Sequence, residues 1–224
     1  MNTLFIRLEG PLQSWGIRSR WDPRDTALEP TKSGVVGLLA CALGWGRERD
    51  DDIRELSRSL GFGVRIDRPG RLLRDYQTVS GGAMSAAGKI KITQSSGERE
   101  TVVSPRHYLS DASFLVAVQG PNDLIERLAD ALQNPHWPLF LGRKSCPPSV
   151  PPYAGIGEYE SLGAALASRP RSARGATGTL RAAVEVEPGK GVRRQDQIDT
   201  LSRRTYLPRY SADVWIDPPQ ASEG

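Results

Sequence analysis

YLSDASFLVAVQGPNDLIERLADALQ, Tyr108 to Gln133, holds a strand end, a break, a second strand and a helix in that order. Ser110-Asp111 interrupts an extended segment that begins near Glu100. The apolar run that follows, through Val118, predicts a buried strand. After Gly120 the period changes, because Leu124, Ile125, Leu128, Ala131 and Leu132 fall on one face at helical spacing.

Upstream, Leu4, Ile6 and Leu8 alternate with Phe5, Arg7 and Glu9, the period-two pattern of a strand with one buried face. The pattern breaks at LEGPLQSWG, Leu8 to Gly16, where a Gly-Pro pair, an amide, a hydroxyl and a tryptophan crowd into one loop. In EPTKSGVVGLLACALGWG, Thr31 or Ser33 caps a helix that runs to about Leu43 and stops at Gly44 and Gly46. Gly34 and Gly37 inside it predict close approach of a neighbouring backbone. Residues 51–59 continue as a second helix with acids in its first turn, favourable against the helix dipole. FGVRIDRPGRLLRDYQTV predicts a hairpin turning at Pro69-Gly70. Residues 80–100 are small, polar and glycine-rich around a short alternating strand, Lys89 to Thr93, and form an excursion from the core.

The order of strand, helix, strands, strand, helix, strand defines an α+β protein and is what a ferredoxin-like or RNA-recognition-motif type of fold requires. Past Leu141 the composition turns proline-rich. A boundary near residue 146 separates residues 1–146 from a smaller, irregular, β-rich part, 147–224, in which TLRAAVEVE and ADVWIDP are short strands.

At 224 residues, 38% hydrophobic and 25% charged, the chain buries a substantial core and is not disordered. No stretch is long enough to cross a bilayer and no signal segment opens it, which predicts a cytoplasmic protein with no membrane partner. Cys41 and Cys146 read as structural thiols. The net charge of +4 leans mildly toward polyanions, and 25 of the 30 cations are arginine, a residue suited to bidentate phosphate contacts.

Phosphate loops, HExxH, CxxC and GxSxG are all absent, so neither a metal nor another cofactor is expected. Only His107 and His136 are available for proton transfer. His107, beside Arg106 and Tyr108, could act as a general acid or base on RNA, or equally bond a backbone or stack on a base. What remains is a set of loops mixing rings with cations: Trp15 with Arg18, Arg20 and Trp21; Arg74 with Tyr76; Arg106 with His107; Arg143 with Lys144; and Arg203 to Tyr210. Stacking of unpaired bases on rings, with cations on the phosphates, is how single-stranded nucleic acid is held. The arginines of 169–181 are either a flexible segment or a phosphate-binding strip.

LEGPLQSWG, PTKSGVVGLLACALG, LRDYQTV, YLSDASFLVAV and LFLGRKSCP, in that order, resemble the CasD family of the type I-E CRISPR Cascade complex. The resemblance runs from about residue 3 to residue 147, and more loosely through LPRYSADVWI. It implies an RNA-recognition-like N-terminal domain with a protruding thumb at about 80–110. It also implies a non-catalytic subunit that caps the crRNA, grips its 5′ handle, contacts the backbone and large subunits, and meets target DNA only through the complex. The alternative is a metal-independent endoribonuclease acting on CRISPR repeat RNA through His107, Tyr76 or Lys32. On the family reading the handle candidates are Gln13, Ser14, Trp15, Arg18, Arg20, Lys32, Ser33, Arg74, Tyr76, Arg106, His107, Arg143 and Lys144. Arg143-Lys144 stand out as two cations directly after an expected buried strand. Trp15 either stacks on a base or wedges its loop onto the core. Lys32, Ser33 and the free amides of their helix form a candidate phosphate site.

Overall fold

The structure, a computed structural model, describes residues 2–17, 24–80, 92, 97–99, 101–172 and 178–220. In chain order its elements are β1 (Asn2–Glu9), β2 (Leu12–Gln13), α1 (Lys32–Ala42), α2 (Asp50–Ser59), β3 (Gly61–Arg68), β4 (Arg71–Val79), β5 (Val102–Ser110), β6 (Ser113–Gly120), α3 (Asn122–Gln133), β7 (Tyr153–Glu158), α4 (Leu162–Ser168), β8 (Leu180–Val186), β9 (Val192–Thr200) and β10 (Thr205–Ile216). They build two antiparallel sheets. The larger has the strand order β7-β1-β6-β3-β8-β10-β9 and the smaller β2-β5-β4.

β1 and β6 are buried on both faces because helices cover both. Leu4, Ile6, Leu8, Phe114, Val116 and Val118 join the core under α1, α2 and α3. Phe5, Leu115 and Ala117 point the other way and pack with Leu162, Ala165 and Leu166 of α4. The expected single buried face of β1 is therefore two, and Phe5 is fully buried rather than solvated. The strands after residue 146 do not form a sheet of their own: β7 adds to β1 and β8 adds to β3. β9 lies against α1 and α2, with the Ile198 amide donating to Ser57 Oγ (3.1 Å) and the Leu201 amide to Asp50 Oδ1 (2.7 Å).

Pro69-Gly70 is a corner between sheets and not the turn of a hairpin. β3 pairs with β6 and β8, whereas β4 pairs with β5 along its whole length, from Arg71↔Ser110 to Val79↔Val102. Gly70 has a φ of +73° and sits against the Ser110 carbonyl, which leaves no room for a side chain. The expected strand Lys89–Thr93 lies almost wholly outside the described residues. Leu139 and Leu141 are buried as expected but form no strand. Leu141 instead donates to Cys146 O (2.7 Å) and accepts from the Ser14 amide (3.0 Å).

A buried ionic cluster ties α4 to the sheet. Arg65 uses all five N–H donors: Nε and Nη2 grip Asp67 (2.6 and 3.0 Å), and Nη1 and Nη2 donate to the carbonyls of Leu166, Arg169 and Pro170 (2.6, 2.6 and 2.8 Å). Arg7 Nη1 and the Ser172 amide add two more bonds to Asp67 Oδ2, both 2.6 Å. Glu9 accepts from Ser113 and Ser172 nearby.

Burial works to raise the pKa of both acids, but the hydrogen bonds and the charges of Arg65, Arg7 and Arg68 outweigh it and hold both below their ordinary values. The folded chain thus binds these protons less readily than the unfolded one. The stabilisation is complete well above the ordinary value of 4.5 for Glu9 and is lost as pH falls through the folded-state values. The urea midpoint should drop as pH is lowered from about 5 to about 3, and less steeply in the double variant Glu9→Gln, Asp67→Asn. Equal slopes in the two proteins would contradict this assignment.

Candidate nucleic-acid interface

The chain leaves β1 at Gly10-Pro11 and turns through LQSW under the N-terminus of α1. Gln13 is fully buried. Its Nε2 donates to Leu8 O (3.0 Å) and Ala112 O (2.9 Å), and its Oε1 accepts from Trp15 Nε1 (3.1 Å). Trp15 is 1% exposed, so of its two expected roles the wedge is the one built here. Gly34 makes room for it, since a Cβ there would stand 2.8 Å from the indole; the close approach is by a ring rather than by backbone. With their side-chain polar atoms spent on the chain itself, Gln13 and Trp15 position the loop. Ser14 is also buried and donates to His107 O (3.2 Å).

The start of α1 departs from the expected phosphate site. Thr31 caps the helix by accepting from the Gly34 amide (3.2 Å), with Ser33 Oγ 3.4 Å from the same hydroxyl. The Lys32 amide donates to Asp196 Oδ2 (2.8 Å), and Asp196 is gripped bidentately by Arg209 (2.7 and 2.9 Å). The chain thus supplies its own anion to the positive end of the helix. Lys32 is 2% exposed and pairs with Glu185 at 3.0 Å. Burial lowers its pKa and Glu185 opposes that shift. A lysine so enclosed can neither reach a phosphate nor serve a ribonuclease without leaving its partner.

Arg143 and Lys144 follow Gly142, whose φ is +90°. Lys144 is exposed. Arg143 lies with its guanidinium 4.7 Å from the centre of the Tyr108 ring and donates to His107 O (3.1 Å), Arg24 O (3.0 Å) and Asp25 O (3.1 Å). The 24–25 segment runs beside β5: the Arg24 amide donates to Pro105 O (2.9 Å), and Arg24 O accepts from the His107 amide (2.8 Å). A second tie runs from the Ala27 amide to Trp15 O. Arg18 and Arg20 fall outside the described residues.

On the smaller sheet the register places Arg74 opposite His107 and Tyr76 opposite Pro105. Alternation puts Arg74, Tyr76 and His107 on one face and Arg106, opposite Asp75, on the other. Arg74 and Tyr76 are exposed. The expected residues therefore divide into a buried set, an exposed sheet face, and a cleft.

The cleft, about 470 Å³, lies between the Trp15 loop, α1, the Gly142-Arg143 turn and the β9–β10 hairpin. Of the handle candidates, Ser14, Trp15, Ser33 and Arg143 line it, and so does Tyr206. Arg24, Trp45 and Arg47 also line it and were not foreseen. Nothing local in the sequence distinguishes a cation on a cleft rim, such as Arg47, from one on an open face. Trp45 carries Arg49 at 4.5 Å and Arg127 at 5.1 Å over its ring, which concentrates positive charge at this end. Gly37 has nothing within 4 Å of where its Cβ would be, so the wall is open there. Rings, arginines and small residues around a groove suit a flexible polyanion with stackable bases. Among the described residues no three His, Cys, Asp or Glu side chains converge as metal ligands, and no helix is long and apolar enough to cross a membrane.

The chain matches the model of the CRISPR-associated protein (Cas_Cas5) family over residues 3–217, and it belongs to that family. It is 37% identical over 163 residues to the CRISPR system Cascade subunit CasD of Escherichia coli (strain K12), covering 68% of this chain and 70% of that protein. A solved structure described as a crystal structure of a Cas protein is 40% identical, covers 98% of both chains and superposes with a TM-score of 0.74. A chain of a CRISPR RNA-guided surveillance complex is 30% identical, covers 97% of this chain and 91% of its own, and gives a TM-score of 0.78.

Proposed function

We propose that the protein is the subunit of a type I-E Cascade surveillance complex that holds the 5′ handle of the crRNA in the cytoplasm, contacts the backbone and large subunits, and meets target DNA only through the complex. It cuts nothing. The observation that carries this reading is the cleft, where Arg24 and Arg47 rim a wall of small residues and Tyr206 and Trp45 supply rings. The likeness to CasD and to a chain of a guided surveillance complex supports the assembly role. The β7-β1-β6-β3 order, with α1 and α2 between β1 and β3 and α3 between β6 and β7, supports the reading of a ferredoxin-like, RNA-recognition type of domain. On this reading the β4–β5 hairpin is the stem of the thumb, and its Arg74, Tyr76 and His107 face is a second RNA contact.

Handle-sequence RNA should be retained uncut by the purified chain, with affinity falling as salt rises at a log-log slope of about −0.7 per phosphate contact. Replacing Arg47 and Lys144 together by alanine should reduce that slope by about 1.4, two contacts' worth. A flat salt response, or cleavage of repeat RNA in EDTA, would overturn the proposal.

A further inference from the structure

The geometry points to Arg143 as a positioning residue, one that holds the Arg24-Asp25 segment against β5 so that the Arg24 side chain faces RNA, and not as a phosphate ligand itself. This rests on the handle-binding reading and deepens it. A guanidinium aimed at a ligand keeps its fork free, whereas that of Arg143 is turned inward. Nη2 bridges the carbonyls of Arg24 and Asp25, and Nη1 takes the carbonyl of His107 on the neighbouring strand. One side chain therefore spans both segments that exchange the Arg24–Pro105 and His107–Arg24 backbone bonds.

The side chain is itself fixed at both ends. The Tyr108 ring lies beneath it. Behind it the Leu141 carbonyl accepts from the Ser14 amide, and the Arg143 carbonyl accepts from the Cys146 amide. Arg24 is exposed at the segment so held and lines the cleft. Lysine cannot substitute: its single nitrogen has no planar fork to reach carbonyls on two separate segments while stacking on a ring.

The test uses the full chain, handle-sequence single-stranded RNA from its own locus, and the variants Arg143→Lys and Arg143→Ala. Both should lose RNA affinity by about tenfold, and both should lose at least one contact, about 0.7, from the salt slope although lysine keeps the charge. Amide exchange at Arg24 and His107 should quicken in both. Arg24→Ala should lose one contact from the wild-type chain and nothing further from Arg143→Lys. Arg143→Gln is the milder replacement should Arg143→Lys fail to fold. Near wild-type binding by Arg143→Lys with an unchanged slope, or unchanged exchange at the two amides, would overturn the inference. If the wild-type chain itself retained no RNA, the handle-binding reading would fall, and the amide exchange would still decide whether Arg143 holds the segment.

Discussion

Asp67→Ala should unfold the protein more readily than any other single carboxylate replacement, by about 3–5 kcal/mol, because it leaves a buried guanidinium without its anion. Arg65 and Asp67 are both fully buried, and Arg7 and the Ser172 amide converge on the same carboxylate. Removing the acid deprives Arg65 of two bonds and leaves its charge in an interior that cannot hydrate it. For a chain of this length, where 1 kcal/mol corresponds to about 2–4 °C, the melting temperature should fall by about 6–20 °C. The loss should concentrate at α4, whose C-terminal carbonyls Arg65 caps, so exchange should rise first at Leu166 and its neighbours. A shift of under about 1 kcal/mol would mean that the cluster is solvated and contributes no more than a surface pair.

Gly142→Ala carries the second large effect, and it acts on the interface as well as on stability. Gly142 has a φ of +90°, where a side chain is disfavoured by about 1–2 kcal/mol. A Cβ would also overlap the Ser14 carbonyl oxygen, which is backbone and cannot swing aside. The turn must then move away from the Trp15 loop and break the bond from the Ser14 amide to Leu141 O. A total of about 3 kcal/mol or more is expected, together with loss of RNA retention, since both walls of the cleft are displaced. Gly37→Ala is the control on the same cleft: nothing lies near that Cβ, and helix propensity favours alanine, so stability should hold or rise. Comparable losses in the two variants would contradict the geometry.

Which parts of this were legible before the structure follows from where the information sits. The helices α1 and α3 and the strands β1, β6 and β8 announce themselves through apolar spacing within a dozen residues. The cap was narrowed to Thr31 or Ser33 for the same reason, and the structure uses Thr31. The partners of β3 and β4 were not, because Pro69-Gly70 looks the same locally whether the chain folds back on itself or crosses to another sheet. The choice is made by β6 and β5, more than thirty residues downstream. β9 escaped because VRRQDQIDT is a polar edge strand with little alternation, and β7 because YAGIGE packs small residues.

Lys32 shows the limit for sites. A lysine at the start of a helix reads as a phosphate ligand until Glu185, 153 positions away, is seen to hold it. Arg143 likewise reads as a free cation from its neighbours in sequence, and only the fold reveals three carbonyls around it. Trp15 was ambiguous because its burial depends on Gly34, in a different element.

The measurement that bears most directly on the whole account is the length and nuclease accessibility of the guide RNA's 5′ end in the assembled complex, with and without this subunit. The account predicts an intact handle shielded only when the subunit is present, and exposed when Gly142→Ala takes its place. A handle equally accessible in both assemblies, or one shortened by the subunit, would contradict it.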